Sequence, residues 1–181
     1  MDLYFSTIHH NFHLPRVRFL TLAQSLEAYH RATMPGRYMS DDSYRAGLRR
    51  VLSGAIPKDD PTIGKDFRAS LDRRLDYLHE FSLRKRLKEI ALRHRAVLED
   101  LIGDPESFSS SVAEKRNQLT HPGEQDPKRA QDYRELWPLS DKMTLLLEVC
   151  FLDEIGFAQE RLRQIVAGRS SCARRVGRGW V

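Results

Sequence analysis

Cysteine is scarce in this chain: Cys150 and Cys172 are the only two in 181 residues. They form neither a C-x-x-C pair nor a zinc-ligand spacing, which argues against a disulfide framework and suits a reducing compartment. Long apolar runs are missing too. The longest lies near Leu145 to Leu152, far short of the roughly 20 residues that cross a bilayer. The start has no signal-peptide pattern of basic residues, apolar stretch and small-residue cleavage site. No segment alternates apolar and polar residues convincingly with a period of two, so strands are not expected. His9-His10-x-x-His13 has no evident further carboxylate or Cys on a rigid element, and it reads as linker, not as a metal site. The expectation is a cytoplasmic protein with no membrane segment, no metal and no cofactor.

What is present is enough for a folded core. Hydrophobic residues make up 40% of the chain, and its length favours one domain. The net charge of +5 is misleading, because four of those charges are Arg169, Arg174, Arg175 and Arg178 in a tail without acids. Local balance is more informative. Residues 65–95 hold twice as many basic as acidic side chains, and Arg outnumbers Lys 23 to 7 overall. That usage suits phosphate binding, though a genome's base composition would produce it equally.

Apolar spacing of i, i+3, i+4 and i+7 divides the chain into helices. The first spans about 16–34, with Phe19, Leu22, Ala23, Leu26 and Tyr29 as its buried stripe, and Met34-Pro35-Gly36 ends it. The second, about 41–55, is capped by Ser40 and points Tyr44, Leu48, Val51 and Leu52 inward. The third, about 65–80, uses Phe67, Leu71, Leu75 and Leu78. The fourth, about 82–101, buries Leu83, Leu87, Ile90, Ala91 and Leu98, and its other side carries Arg84, Lys85, Arg86, Lys88, Arg93 and Arg95. After Gly103-Asp104-Pro105 a fifth helix buries Phe108 and Val112. A last long segment starts near Lys128, is interrupted or kinks at Trp137-Pro138 and is apolar on most sides from Met143 to Ile155, with Cys150 as a small core residue. A shorter helix follows to about Ala167. The expected fold is an all-α bundle of about five to seven helices. Residues 1–15 form a lead-in, 16–167 the helical domain, and 168–181 a basic tail expected to be mobile.

The fifth helix ends in the stretch on which the functional reading turns, Lys115-Arg116-Asn117-Gln118-Leu119-Thr120-His121-Pro122-Gly123. Pro122 disfavours helical geometry at His121, and Gly123 tolerates the turn. Asn117 and His121, four residues apart, lie on one face, with Arg116 displaced around the helix. Arg grips phosphate oxygens with paired hydrogen bonds, and His exchanges protons near neutral pH. Spacing alone is weak support, since Arg74-Leu75-Asp76-Tyr77-Leu78-His79 repeats the Arg-to-His interval. The Asn after Arg116 and the Pro-Gly break after His121 set the first stretch apart.

Arg116-Asn117-Gln118-Leu119-Thr120-His121 resembles the RNxxxH signature of HEPN domains, the helical ribonuclease modules of prokaryotic toxin and antiviral systems. The chain is most similar to the Apea-like branch. Arg18-Phe19-Leu20 with Leu26 to Arg31 resembles its first helix, Ser82 to Leu87 its basic central helix, and Leu145-Leu146-Leu147 to Phe157 its closing helix. The likeness runs over roughly residues 16–166 in matching order.

The resemblance implies an endoribonuclease that needs no metal and cuts through the ribose 2′-OH, with Arg116, Asn117 and His121 as catalytic residues. It implies that Glu27, His30 and Arg31 face the motif helix and orient Arg116; read without it, Glu27 and Arg31 form a helix-surface ion pair. Arg84, Lys85, Arg86 and Lys115 are the candidate RNA contacts, although a charged face is as readily a merely solvated one. The implied partners are RNA, with tRNA among the candidates, and a second copy in a twofold homodimer. A separate N-terminal sensor domain or a cognate antitoxin is a further implied partner, in a toxin or abortive-infection defence setting. The alternative is a non-catalytic HEPN module for RNA binding, sensing or dimerisation within a larger defence protein.

Overall fold

A computed structural model of the chain describes residues 14–57, 60–121 and 135–176, with side chains as far as residue 168. The histidines of the lead-in and the loop after His121 fall outside the described residues. In chain order the helices are α1 (Pro15–Thr33), α2 (Asp41–Tyr44), α3 (Arg50–Ala55), α4 (Lys65–Leu75), α5 (Leu83–Arg93), α6 (Arg95–Ile102), α7 (Pro105–Thr120), α8 (Leu136–Glu154) and α9 (Gln159–Val176). A π-helical turn, Arg45–Arg49, joins α2 to α3. Every regular element among the described residues is helical, as the sequence periodicity predicts.

The chain divides into two compact units, residues 35–82 and the remainder. In the larger unit α1 packs on α5, α7 and α8, and α5 packs on α7. The predicted stripe of α1 is buried from Phe19 to Tyr29, and it meets Leu87, Ile90, Phe108, Val112, Met143, Leu146 and Cys150 in one core. Gly103 separates α6 from α7 at φ 77°, a left-handed conformation that favours glycine. Asp104 then caps α7, its carboxylate accepting from the Ser107 N–H at 2.9 Å, and Pro105 fills the first helical position, where a missing N–H costs nothing. This start fixes which face of α7 is buried.

Four expectations need correction. The helix predicted over 82–101 breaks at His94, a buried residue between α5 and α6. At Trp137-Pro138 the outcome is a helix start and not a kink: α8 begins at Leu136 and the proline falls in its first turn, among N–H groups without intrahelical acceptors, while residues 128–134 lie outside the described residues. The final helix passes the expected stop at Ala167 and runs to Val176.

The fourth correction concerns the smaller unit, where Tyr44 is buried but Leu48, Val51, Phe67 and Leu78 are exposed. Two short helical segments shield only the seam between them, so a periodic stripe outlasts the surface available to cover it.

Truncation tests this division. Leu146→Ala should lower unfolding free energy by about 2–5 kcal/mol, while Val51→Ala should change it by less than about 0.5 kcal/mol. Denaturant titration of both variants checks this; an equal loss would place Val51 in a core.

Candidate active site

The buried residues of α7 are Pro105, Phe108, Ser109, Val112 and Leu119. At about 100° per residue, Arg116 falls within that stripe, between Pro105 and Ser109, at the solvent-facing end of the helix, Thr120 lies at its border, and Asn117 and His121 turn away from it. Arg116 is accordingly half-buried and the other three are exposed. The Arg116 Nη1 donates to Asn117 Oδ1 at 3.1 Å. A guanidinium only donates, so the amide oxygen is the atom facing Arg116, and the Asn117 amide nitrogen is left as a donor. The pair holds a cation and an amide side by side on the helix surface.

Three hydrogen bonds fix the last turn. The His121 N–H donates to the Asn117 carbonyl at 2.9 Å, and Thr120 Oγ1 donates to the Arg116 carbonyl at 2.9 Å. The third comes from far away in sequence: Arg16 Nη2 donates to the Leu119 carbonyl at 2.7 Å. The last carbonyls of a helix have no intrahelical donor, and its C-terminus carries partial negative charge. Arg16 answers both, and it ties the motif turn to the first turn of α1. Beside it, Arg18 pairs with Asp141 at 2.8 Å and lies 5.4 Å from the Trp137 ring, joining α1 to the start of α8. Lys115 pairs with Glu135 at 2.8 Å.

The predicted supporting trio goes elsewhere. Glu27 and Arg31 form a surface ion pair at 3.1 Å. They lie 11 to 15 residues beyond Arg16, about 16–22 Å along α1, and Arg116 is hydrogen-bonded to Asn117 instead. His30 is fully buried and reaches α5, with Nδ1 3.1 Å from Arg86 Nη1 and Nε2 2.9 Å from Glu89 Oε2. Arginine must donate, so Nδ1 accepts and Nε2–H donates to Glu89, which fixes the tautomer. Burial holds the His30 pKa below its ordinary value, reinforced by Arg86 and opposed by Glu89. For Glu89, burial alone would raise the pKa, but hydrogen bonds from His30 and Lys85 more than offset it and the net direction is down.

The candidate RNA track also needs correction. Arg86 is buried, at 2% exposure, and so is no part of an exposed face. It sits between Leu83, Leu87 and Ile90 on the apolar side of α5. Arg84 and Lys88 both pair with Glu106, and Lys85 pairs with Glu89. Carboxylates thus neutralise much of this face. Arg16 is the site residue the sequence reading missed; its only local cue is Pro15-Arg16 at a helix start.

The model of the Apea-like HEPN family matches residues 20–161. The chain belongs to this family. No curated protein and no solved structure matches it. HEPN membership carries a nuclease-like or otherwise RNA-related role in general, and HEPN domains commonly dimerise. Among the described residues no His, Cys, Asp or Glu cluster is suited to hold a metal, and no helix is long and apolar enough to cross a membrane.

The buried histidine makes stability pH-dependent. The folded state holds fewer protons at His30 than the unfolded state, whose value is near 6.5. The stabilisation is therefore complete above that pH and is lost as pH falls through the lower folded value. His94, also lowered by burial, acts in the same direction. The melting temperature should drop between pH 7 and pH 5. His30→Gln, which keeps a donor and an acceptor but cannot titrate, should flatten the drop; an unchanged slope would refute the assignment.

Proposed function

We propose that this HEPN protein is an endoribonuclease that cuts RNA without a metal ion, at a site built by two copies of the chain. The observation that carries this reading is the exposed, pre-set end of α7. There Arg116 and Asn117 are hydrogen-bonded to each other, and Arg16 holds the turn that leads into His121.

A base takes the proton from a ribose 2′-OH, and the oxygen attacks the adjacent phosphorus. The bond to the departing 5′-oxygen breaks as an acid protonates that oxygen. The products are a 2′,3′-cyclic phosphate and a 5′-hydroxyl. His121 moves a proton, and Arg116 stabilises the charge that develops on the phosphoryl oxygens. The Asn117 amide nitrogen, a donor with its oxygen turned to Arg116, orients the phosphate or the imidazole. One chain supplies a single motif histidine, while the reaction needs a base and an acid, so a twofold dimer completes the set. The setting proposed is cytoplasmic toxin or abortive-infection defence.

Arg16 enters as a positioning residue. It touches the motif helix's backbone and holds the turn that carries His121.

Incubation with tRNA and a single-stranded RNA in EDTA tests the proposal. Wild type should cleave. His121→Ala and Arg116→Ala should each lose about 10²-fold or more. Arg16→Ala should lose less, and its His121 amide should exchange hydrogen faster, a change no direct contact with RNA would produce. Full activity of His121→Ala, or an active monomer in sedimentation at assay concentration, would refute the roles given. RNA binding without any cleavage by wild type would place the chain among non-catalytic HEPN modules.

A further inference from the structure

The smaller unit holds a pocket of roughly 440 Å³, within the range of small-molecule sites. The sequence stretch that echoes the motif spacing supplies one wall, with Asp76, Tyr77 and His79, followed by Glu80. The π-helical turn supplies another, presenting Arg45 and Arg49 four residues apart. Such turns recur at functional sites because they re-aim side chains.

The walls are built from one buried histidine and paired charges. His79 is 7% exposed, its ring stacked 4.2 Å from that of Tyr44. Its Nε2 lies 2.6 Å from Asp41 Oδ1, and Asp41 also pairs with Arg37 at 2.8 Å. Arg49 Nε donates to Asp76 Oδ1 at 2.7 Å. Two features are left over. His79 Nδ1 is buried with no hydrogen-bond partner among the described residues, a condition that calls for an explanation in a folded protein. The Arg45 guanidinium, exposed at the pocket, makes no hydrogen bond or ion pair among the described residues.

The lining carries three arginines and three carboxylates. Such a pocket has no surplus charge for a bare anion, and it favours a ligand with an anionic group at one end and hydrogen-bond donors at the other. Arg45, whose charge is felt by Asp41 but which makes no hydrogen bond or ion pair among the described residues, offers the cation. A carboxylate in one ion pair retains lone pairs for hydroxyl donors, which suits Asp76 to a vicinal diol, with Glu80 beside it. The Tyr77 side chain, on the same wall, is 67% exposed and presents a ring face for stacking.

We propose that this pocket binds a phosphorylated ribose carrying a base, as a free ribonucleotide or as the 3′-terminal nucleotide of an RNA, the one RNA position that keeps both ribose hydroxyls. Arg45 holds the phosphate, Asp76 and Glu80 accept from the ribose hydroxyls, and Tyr77 stacks on the base. The site is distinct from the α7 motif and does not depend on cleavage there.

Calorimetric titration of the full chain with AMP, dAMP and inorganic phosphate tests this. Saturable AMP binding is expected, weaker for dAMP, and reduced about tenfold or more in Arg45→Ala. The same affinity should persist in His121→Ala. Arg45→Ala removes an exposed side chain that makes no hydrogen bond or ion pair among the described residues, and an unchanged circular dichroism spectrum verifies its fold. In an Arg116→Ala/His121→Ala background, a short RNA ending in a free 2′,3′-diol, compared with the same RNA closed by a 3′-phosphate, separates the two sources. Binding of either source that Arg45→Ala abolishes supports the site. No binding of any probe, AMP binding indifferent to Arg45→Ala, or inorganic phosphate held as tightly as AMP would each overturn it.

Discussion

A helix that ends next to solvent leaves its last carbonyls without donors, and α7 ends where its reactive side chains sit. The Arg16 guanidinium removes that weakness by donating to the Leu119 carbonyl from 103 residues away in sequence. It also sets a positive charge against the negative end of the helix dipole. Much else follows from this contact. The first turn of α1 must lie at the C-terminus of α7, and the stripe from Phe19 to Tyr29 then enters the shared core. Arg116, Asn117 and His121 remain outside it because Val112 and Leu119 claim the inner face.

At its other end α1 is held by a polar contact inside the core. His30 accepts from Arg86 and donates to Glu89, so one neutral imidazole links a buried guanidinium to a largely covered carboxylate that Lys85 also pairs. Burying an arginine without such partners costs several kcal/mol. The arrangement works only with His30 uncharged, since protonation would turn its acceptor into a second donor facing Arg86. The fold is thus sensitive to mild acid at a point remote from the proposed chemistry.

Much of this was legible in the chain. Regular apolar spacing located α1, α7 and the core of α8, and Asp104-Pro105 marked the start of the motif helix. Arg116, Asn117 and His121 could be read together because they fall within six consecutive residues. Arg86 was also legible in principle: its position between Leu83, Leu87 and Ile90 places it on the buried side of α5, but its charge suggests solvent. Leu48 and Val51 show the opposite limit. Periodicity tells which residues share a face, and says nothing of whether another element covers it. Contacts between distant segments left no local trace, which is why Arg16 went unseen and why the contact of His30 with Arg86 and Glu89 could not be read.

The account as a whole turns on whether the ribose hydroxyl is the nucleophile. Mass spectrometry of fragments from an RNA oligonucleotide, beside the same oligonucleotide with a single 2′-deoxy substitution at the mapped cleavage position, addresses this directly. The account predicts 2′,3′-cyclic phosphate and 5′-hydroxyl ends from the first, and no cleavage at the substituted linkage in the second. Cleavage at the deoxy position, or fragments bearing 5′-phosphates, would contradict it.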